Sequence, residues 1–246
     1  MALGELFDVY SWRARLQPAL LTLFPALVSV AVLLPVFYQT ATGLLGVATA
    51  CGVTIWFAHF AREQGRETEK RLNAEWGGKP TTIWLRHRDN HLDAHTKARY
   101  HAFLAEHVRS WEAPTLELEQ CDPAAVDAQY DGATRWLLEH TRDRSKFPLV
   151  FKENVSYGFR RNLRGLRPTG ISIALASFLA NVLAVWNGWS IGAEISEANV
   201  GTLVVSLLAT AAWLWLVRDK AVRDAADAYA RALLSACDVN EKSSAN

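Results

Sequence analysis

The sequence predicts an all-α integral membrane protein, with four transmembrane helices as two hairpins (2+2) and a helical cytoplasmic domain between them. The charged residues Asp, Glu, Lys and Arg are absent from three long stretches, residues 16–61, 168–193 and 198–217. Such stretches are typical of membrane spans, because about 20 apolar residues in a helix cross the hydrocarbon layer. Four arginines lie directly before the second stretch: Arg160, Arg161, Arg164 and Arg167. Because Lys and Arg collect on the cytoplasmic side, we expect the chain to enter the membrane there from the cytoplasm.

Turn signals divide the uncharged stretches into four spans. The predicted spans are Leu20–Tyr38, Leu44–Phe60, Ile171–Trp186 and Val200–Val217. The outer loop before the last span contains Glu194 and Glu197 but no Lys or Arg. The first span is too long for the core of a cleaved signal peptide, so we expect it to be retained. Both termini are therefore predicted to be cytoplasmic.

These spans define five predicted segments. The first, residues 1–17, is amphipathic and forms either a helix on the membrane surface or a partly ordered leader. The others are transmembrane hairpin 1 (18–60), the helical cytoplasmic domain (61–168), transmembrane hairpin 2 (169–217), and a cytoplasmic C-terminal helix and tail (218–246).

Local start and stop signals place the helices of the cytoplasmic domain. The second span is expected to continue as a charged helix to Trp76, where two glycines and Pro80 end it. Asp93 predicts a helix to His107, because Asp caps a helix N-terminus. The pair Asp122–Pro123 predicts another, since Pro suits the first turn. The remaining predictions are an end near Arg144 for that helix, a short helix from Thr81 or Thr82 to Arg88, a loop or strand over Pro114–Gln120, and a helix over Leu149–Leu166.

Charge and cysteine content exclude two classes of protein. A formal net charge of +1 argues against a protein that mainly coats nucleic acid. Cys51, Cys121 and Cys237 are far apart and form no C-x-x-C pair. We therefore expect reduced thiols, not a disulfide framework or a zinc site.

No motif predicts an enzyme, a metal site or a cofactor. His87, His91 and His95 recur every fourth residue, but Asp93 begins a helix among them and Leu92 stands where a zinc protease needs Glu. We expect a solvated or partner-binding helix there. Residues 77–82 superficially resemble a phosphate loop, but the upstream glycine and a preceding strand are missing.

Polar residues form a stripe on each of the last two spans. Five of them are predicted to line a pore: Ser177, Asn181, Thr202, Ser206 and Thr210. Polar groups on one face of a membrane helix either bond to a neighbouring helix or line a wet path, and both interpretations stay open. The spans carry no ionisable residue of the kind that an ion-coupled transporter needs at mid-membrane.

A basic patch precedes the third span. Its predicted ligand-binding residues are Arg144, Lys152, Tyr157, Arg160, Arg161 and Arg164. Arginine forks and an aromatic ring suit an oligonucleotide or nucleotide. The alternative is that the patch sets the topology and contacts anionic lipids. An acidic stretch over residues 112–131 could pair with the patch within or between subunits.

Three segments, Leu85–Asp89, Thr96–Leu104 and Lys146–Pro168, resemble bacterial inner-membrane proteins with two hairpins around a helical insert. The chain is similar in them to membrane effectors of anti-phage defence of the Hailong type. The resemblance implies a nucleotidyltransferase partner whose DNA oligonucleotide holds the effector closed. Loss of the oligonucleotide then permeabilises the membrane and halts growth.

We therefore expect an oligomeric ligand-gated pore that acts as a defence effector in the bacterial inner membrane. Four spans without charges do not easily enclose a water path alone, so this hypothesis requires a homo-oligomer. Two alternatives remain: a non-conducting scaffold that recruits a cytoplasmic partner, and a membrane-bound enzyme with dispersed catalytic residues.

Overall fold

The computed structural model describes residues 8–33, 40–192 and 196–239, and within them the chain is all-helical and contains no strand, which confirms the predicted class. Its helices are α1 (Val9–Ser11), α2 (Gln17–Leu33), α3 (Thr40–Trp76), α4 (Pro80–Ile83), α5 (Ala94–His107), α6 (Leu116–Cys121), α7 (Pro123–His140), α8 (Pro148–Gly165), α9 (Arg167–Ser190), α10 (Glu197–Trp215) and α11 (Asp219–Leu234). A π-helical segment, Trp12–Leu16, joins α1 to α2.

The chain divides into two compact units. Unit 1 comprises Met1–Glu69 and Gly158–Val222, and unit 2 comprises Lys70–Tyr157 and Arg223–Asn246. Parts of four predictions lie outside the described residues: residues 1–7 of the N-terminal segment, the end of the first predicted span, Glu194, and the tail after residue 239.

Three helices within the described residues are long and apolar enough to cross a membrane: Val9–Leu33, Arg167–Ser190 and Glu197–Trp215. All three belong to unit 1 and mark the chain as a membrane protein. They coincide with the first, third and fourth predicted spans. The second predicted span, Leu44–Phe60, lies within the 37-residue helix α3. A four-span arrangement therefore stays a prediction.

The first candidate span begins earlier than the predicted boundary at residue 17. The π segment continues into α2 without a break, and the Gln17 amide bonds to the Trp12 carbonyl. Ala14 is fully buried, and its carbonyl accepts a 2.6 Å hydrogen bond from Asn162 Nδ2. These buried contacts place the described part of this segment, residues 8–17, in unit 1 as one continuous helical segment with α2.

Close contacts at small residues hold unit 1 together. Helices α2, α9 and α10 pack against one another. A methyl group on Gly170 would lie 2.4 Å from the Trp213 ring, so only glycine leaves room for that indole. The Arg167 guanidinium donates to the carbonyls of Trp213 and Leu214, which are left over at the end of α10. The start of α9 is thereby attached to the end of α10.

Unit 2 has its own aromatic and aliphatic core. Its large buried side chains include Trp84, Leu85, Leu104, Tyr130, Leu137 and Leu233, each at most 2% exposed. They come from α5, α7, α11 and the turn after α4. Burial of apolar surface is the main favourable term in folding, so this core holds the polar loops described below in place.

The predicted helix ends of unit 2 are mostly confirmed. Helix α3 ends at Trp76, where Gly77 and Gly78 take positive φ angles of 78° and 143°. Asp93 caps α5 by accepting from the Thr96 amide, and Asp122 caps α7 in the same way. Helix α7 ends at His140 and not near Arg144, since residues 143–146 form a turn around the Asp143 carboxylate.

Two local predictions are wrong. Residues 116–121, predicted as a loop or strand, form helix α6, because Thr115 caps it and Glu119 turns into the core. The helix predicted from Thr81 or Thr82 to Arg88 is a single turn, Pro80–Ile83. Its N-cap is Lys79, since Pro80 occupies the first helical position.

Candidate functional site

The interior of unit 1 is polar in its centre. Six polar side chains of α2, α9 and α10 have at most 6% exposure and are here called the interior polar set: Thr22, Ser29, Ser177, Asn181, Thr202 and Ser206. Four of them are residues that the sequence predicts to line a pore. The fifth predicted residue, Thr210, is partly buried. The stripes on α9 and α10 thus face the interior of a single chain.

The hydroxyl groups of this set bond mainly to their own helices. Ser177 donates to the Ile173 carbonyl at 2.8 Å, and Ser206 donates to the Thr202 carbonyl at 2.8 Å. Thr22 and Ser29 do the same on α2. Among the described residues, one hydrogen bond joins side chains of the set on two different helices: Asn181 Nδ2 donates to Ser29 Oγ at 2.8 Å. Interhelical hydrogen bonding therefore accounts for little of this polarity among the described residues.

Sequence reasoning did not single out Thr22 and Ser29. The two residues are seven positions apart on α2, which places them two helical turns apart on one face. That spacing was the signal that could have found them. Pro25 lies between them, and its carbonyl accepts the Ser29 hydroxyl at 2.7 Å.

The predicted ligand-binding residues do not form one cluster within either unit. Arg144, Lys152 and Tyr157 belong to unit 2, whereas the three arginines of α8 belong to unit 1. Lys152 and Arg160 are exposed. Tyr157 is buried and its ring stacks on Tyr229, 6.1 Å between centroids. The Arg144 guanidinium lies 4.3 Å from the Phe151 ring centroid.

Two arginines of the basic patch are held in ion pairs of unit 1. Arg161 bonds Glu69 of α3 at 2.6 Å, and Arg164 bonds Asp219 of α11 at 2.8 Å. Their side chains are only 14% and 17% exposed, so these pairs are screened less by salt than surface pairs are. Two of the positive charges that the sequence places here are thus neutralised within the chain.

Unit 2 contains a polar cleft between the end of α3 and helix α7. Its volume is about 530 Å³, and its walls include Lys70, Asn73, Gly78, Thr82 and Arg86. Two ion pairs, Lys79–Asp131 at 2.5 Å and Arg86–Asp127 at 2.7 Å, close its rim. The amides of Gly77 and Gly78 bond to carbonyls of α3. They are therefore already used and do not form a phosphate cradle.

A buried carboxylate organises the loop after α4. Glu119, 1% exposed, accepts hydrogen bonds from the amides of His87 and Arg88 and from the Arg88 guanidinium. The Tyr130 hydroxyl adds a fourth, at 3.4 Å. Lys97 is also buried and donates to the carbonyls of Arg86 and Asp89, and burial lowers its pKa.

The three histidines that recur every fourth residue do not share a common binding partner. His87 Nε2 bonds the Pro114 carbonyl at 2.7 Å, whereas His91 stacks on Trp84 and bonds Asp89. His95 is exposed on α5. Across residues 8–33, 40–192 and 196–239, no three His, Cys, Asp or Glu side chains are grouped so that they could hold a metal ion. The thiols of all three cysteines are free, and that of Cys237 is buried.

A fourth histidine gives unit 2 a predicted pH dependence. Burial lowers the pKa of His101 to about 4, and its Nε2 lies 2.9 Å from the Leu85 carbonyl. Below pH 6.5 the unfolded chain gains a proton that the folded chain does not, so stability falls as the pH drops from 6.5 towards 4. The full loss is about 3 kcal/mol for this shift.

This loss is measured by thermal melting of the detergent-solubilised protein at pH 7.5 and pH 5. We expect a lower melting temperature at pH 5, and a smaller pH effect in His101→Gln, whose amide can still donate to Leu85. An equal pH effect in His101→Gln would show that other groups are responsible.

Comparison with protein-family models, curated proteins and solved structures finds no match for this chain.

Proposed function

We propose that the chain is the subunit of an oligomeric, ligand-gated pore in the bacterial inner membrane, with four spans and both termini in the cytoplasm. The observation that carries the proposal is the interior polar set inside helices whose outer faces are apolar. Removing a polar side chain from water costs free energy, and hydrogen bonds within its own helix mainly offset that cost, so apolar side chains would pack these helices equally well. A route for water or ions gives them a function.

The outer faces of the same helices suit lipid. Leu183 and Trp186 on α9 are 67% and 62% exposed, and Leu208 on α10 is 63% exposed. Large apolar side chains at this exposure fit a hydrocarbon environment. Trp186 and Trp189 near the end of α9 fit the aromatic belt of a membrane interface.

The pattern of hydrogen bonds gives little support to helix association as the role of these hydroxyls. Hydroxyl groups that hold helices together donate across the helix interface. In the interior polar set, hydroxyls donate to carbonyls three or four residues earlier on the same helix. In this closed arrangement the polar face is packed, so conduction requires that subunits assemble and the helices separate along this face.

The ion pairs of Arg161 and Arg164 suggest how a ligand could control the helices. A phosphate group would compete with Glu69 and Asp219 for these two guanidinium groups, because arginine binds phosphate and carboxylate by the same bidentate geometry. Binding and loss of a ligand would then change the contacts that hold α3 and α11, and the resemblance implies that the ligand-bound state is the closed one. The resemblance to Hailong-type effectors adds an oligonucleotide, made by a nucleotidyltransferase partner, as the proposed ligand. It also adds membrane depolarisation and growth arrest as the outcome.

The pore is tested by near-isosteric replacement of its hydroxyls. Thr202→Val with Ser206→Ala keeps the volume and removes polarity, so we expect the double variant to lose most of its depolarising activity. The measurement is a membrane-potential dye in bacteria that express the protein without a nucleotidyltransferase partner. Ser172→Ala with Ser190→Ala removes two exposed hydroxyls from α9 and is the matched control.

Two outcomes would count against the pore. Full depolarisation by the double variant, at equal membrane content, would remove this face from the conduction path. If the unaltered protein does not depolarise cells, the non-conducting scaffold becomes the better account.

A further inference from the structure

We propose that the interior polar set contains a binding site for a monovalent cation, centred on Asn181 Oδ1, and that the pore passes cations in preference to anions. The site stands on the geometry of unit 1. Only the part about conduction rests on the proposed function.

The orientation of the Asn181 amide is fixed by its neighbours. Its nitrogen donates to the Ser177 carbonyl at 2.8 Å as well as to Ser29 Oγ. A carbonyl accepts and never donates, so the group that faces Ser177 must be the NH₂. The Oδ1 atom therefore points away from both partners.

Asn181 Oδ1 is a buried acceptor without a donor among the described residues. The side chain is 1% exposed, so bulk water does not reach it. An unsatisfied buried polar atom is costly, and it indicates a water molecule, an ion or a functional role at that place. A cation or the hydrogen of a water molecule satisfies this oxygen, whereas an anion repels it.

Other hydroxyls of the interior polar set have the same polarity. Ser29, Ser177 and Ser206 each give their proton to a backbone carbonyl of their own helix, at 2.7 or 2.8 Å. Their oxygen lone pairs are the part left for a ligand. The interior therefore presents acceptors without free hydroxyl donors, which is complementary to a positive ion.

Asn181 and Ser206 lie at matching distances from the facing ends of α9 and α10. Asn181 is nine residues before the end of α9, and Ser206 is nine residues after the start of α10. Because a helix rises ~1.5 Å per residue, each lies about 13 Å from that end of its own helix. The level of the orphaned amide oxygen is thus also the level of the fully buried hydroxyl of Ser206.

The chemistry of the donors indicates the class of ion. Amide, hydroxyl and carbonyl oxygens suit hard cations, and no carboxylate lies in residues 168–193 or 198–217 to compensate a second positive charge. No Lys or Arg lies in these ranges to serve an anion. Na⁺ and K⁺ fit this set better than Ca²⁺ or Cl⁻.

Binding is tested first without conduction, by thermal melting of the full-length protein in detergent. KCl or NaCl is compared with choline chloride at equal ionic strength. A cation that binds the folded state raises the melting temperature. We expect K⁺ or Na⁺ to stabilise the unaltered protein relative to choline, and this difference to vanish in Asn181→Leu, which is near-isosteric. Asn187→Leu, at an exposed position of α9, is the matched control and keeps the difference.

Selectivity is tested in liposomes that contain the protein and a KCl gradient. We expect a reversal potential near that of K⁺, with a permeability ratio of K⁺ over Cl⁻ on the order of tenfold. A ratio of this size corresponds to the free energy of about one hydrogen bond. Asn181→Asp, which keeps the oxygen and adds negative charge, raises the ratio. Asn181→Asp also provides the test of this position if Asn181→Leu does not fold.

The outcomes separate the two proposals. Stabilisation by K⁺ or Na⁺ without any conduction supports the cation site and overturns the pore. Conduction that favours Cl⁻, or a melting temperature that is the same in all salts and in Asn181→Leu, overturns the cation site and leaves the pore standing.

Discussion

Replacing Gly165 with alanine is expected to destabilise unit 1 by about 3 kcal/mol, the upper part of the range for overpacking. A methyl group there would lie 2.5 Å from the carbonyl carbon of Gln64 and 2.7 Å from the amide nitrogen of Gly65. These are backbone atoms of α3, which do not turn aside as a side chain can. The two helices would have to separate, and the neighbouring Arg161–Glu69 pair would be strained with them.

The test is thermal melting in detergent, together with the amount of monodisperse protein that is recovered from membranes. Gly132→Ala is the control, because a methyl group on Gly132 in helix α7 has no neighbour within 4 Å. Alanine is favoured over glycine inside a helix, so the control is expected to be neutral or slightly stabilised. Equal melting temperatures for Gly165→Ala and the unaltered protein would refute the close helix contact.

Replacing Glu119 with leucine is expected to destabilise unit 2 by about 3 kcal/mol, since two partly buried backbone amides and the buried Tyr130 hydroxyl lose their acceptor. Arg88 adds less, because its side chain is 46% exposed and can turn to water. Glu119→Gln keeps an acceptor oxygen and the shape, so it should lose clearly less stability than Glu119→Leu.

Chemical denaturation followed by tryptophan fluorescence measures this loss, since Trp84 is adjacent to the affected loop. Glu117→Leu, on the same short helix but exposed, is the control. A result in which both leucine variants lose the same small amount would mean that the carboxylate does not organise the loop.

The parts of the fold that the sequence predicts are those fixed by local signals. Asp93, Asp122 and the Gly77–Gly78 pair act on their own helix ends through one or two hydrogen bonds. The uncharged stretches 168–193 and 198–217 predict spanning helices because the solvent preference of a whole segment does not depend on its partners.

Helix α6 was missed because two signals compete in it. Its sequence, Leu-Glu-Leu-Glu, alternates with the period of a strand. The helix wins because Thr115 caps it and because Glu119 finds four hydrogen bonds in the core. The hydrogen bonds of Glu119 involve residues as far as 32 positions away, so a local sequence pattern does not predict them.

The candidate site was predictable in part for the same reason. Spacing alone identified the polar faces of α9 and α10, and the structure places them in the interior of unit 1. The pairing of Arg161 with Glu69 and of Arg164 with Asp219 was not predictable, since these residues are 92 and 55 positions apart. An arginine cluster has the same sequence whether or not carboxylates neutralise it in the fold.

The π-helical segment at Trp12–Leu16 has a consequence for the phase of the first helix. A π turn accommodates one more residue than an α turn, so the side chains before it are rotated by about 100° relative to a regular α-helix. A helical wheel drawn through residues 9–33 with one angle per residue therefore assigns Val9 and Tyr10 to the wrong side. Removing one residue within the segment would bring both ends into the same phase and carry the Asp8 carboxylate to a different side of the helix.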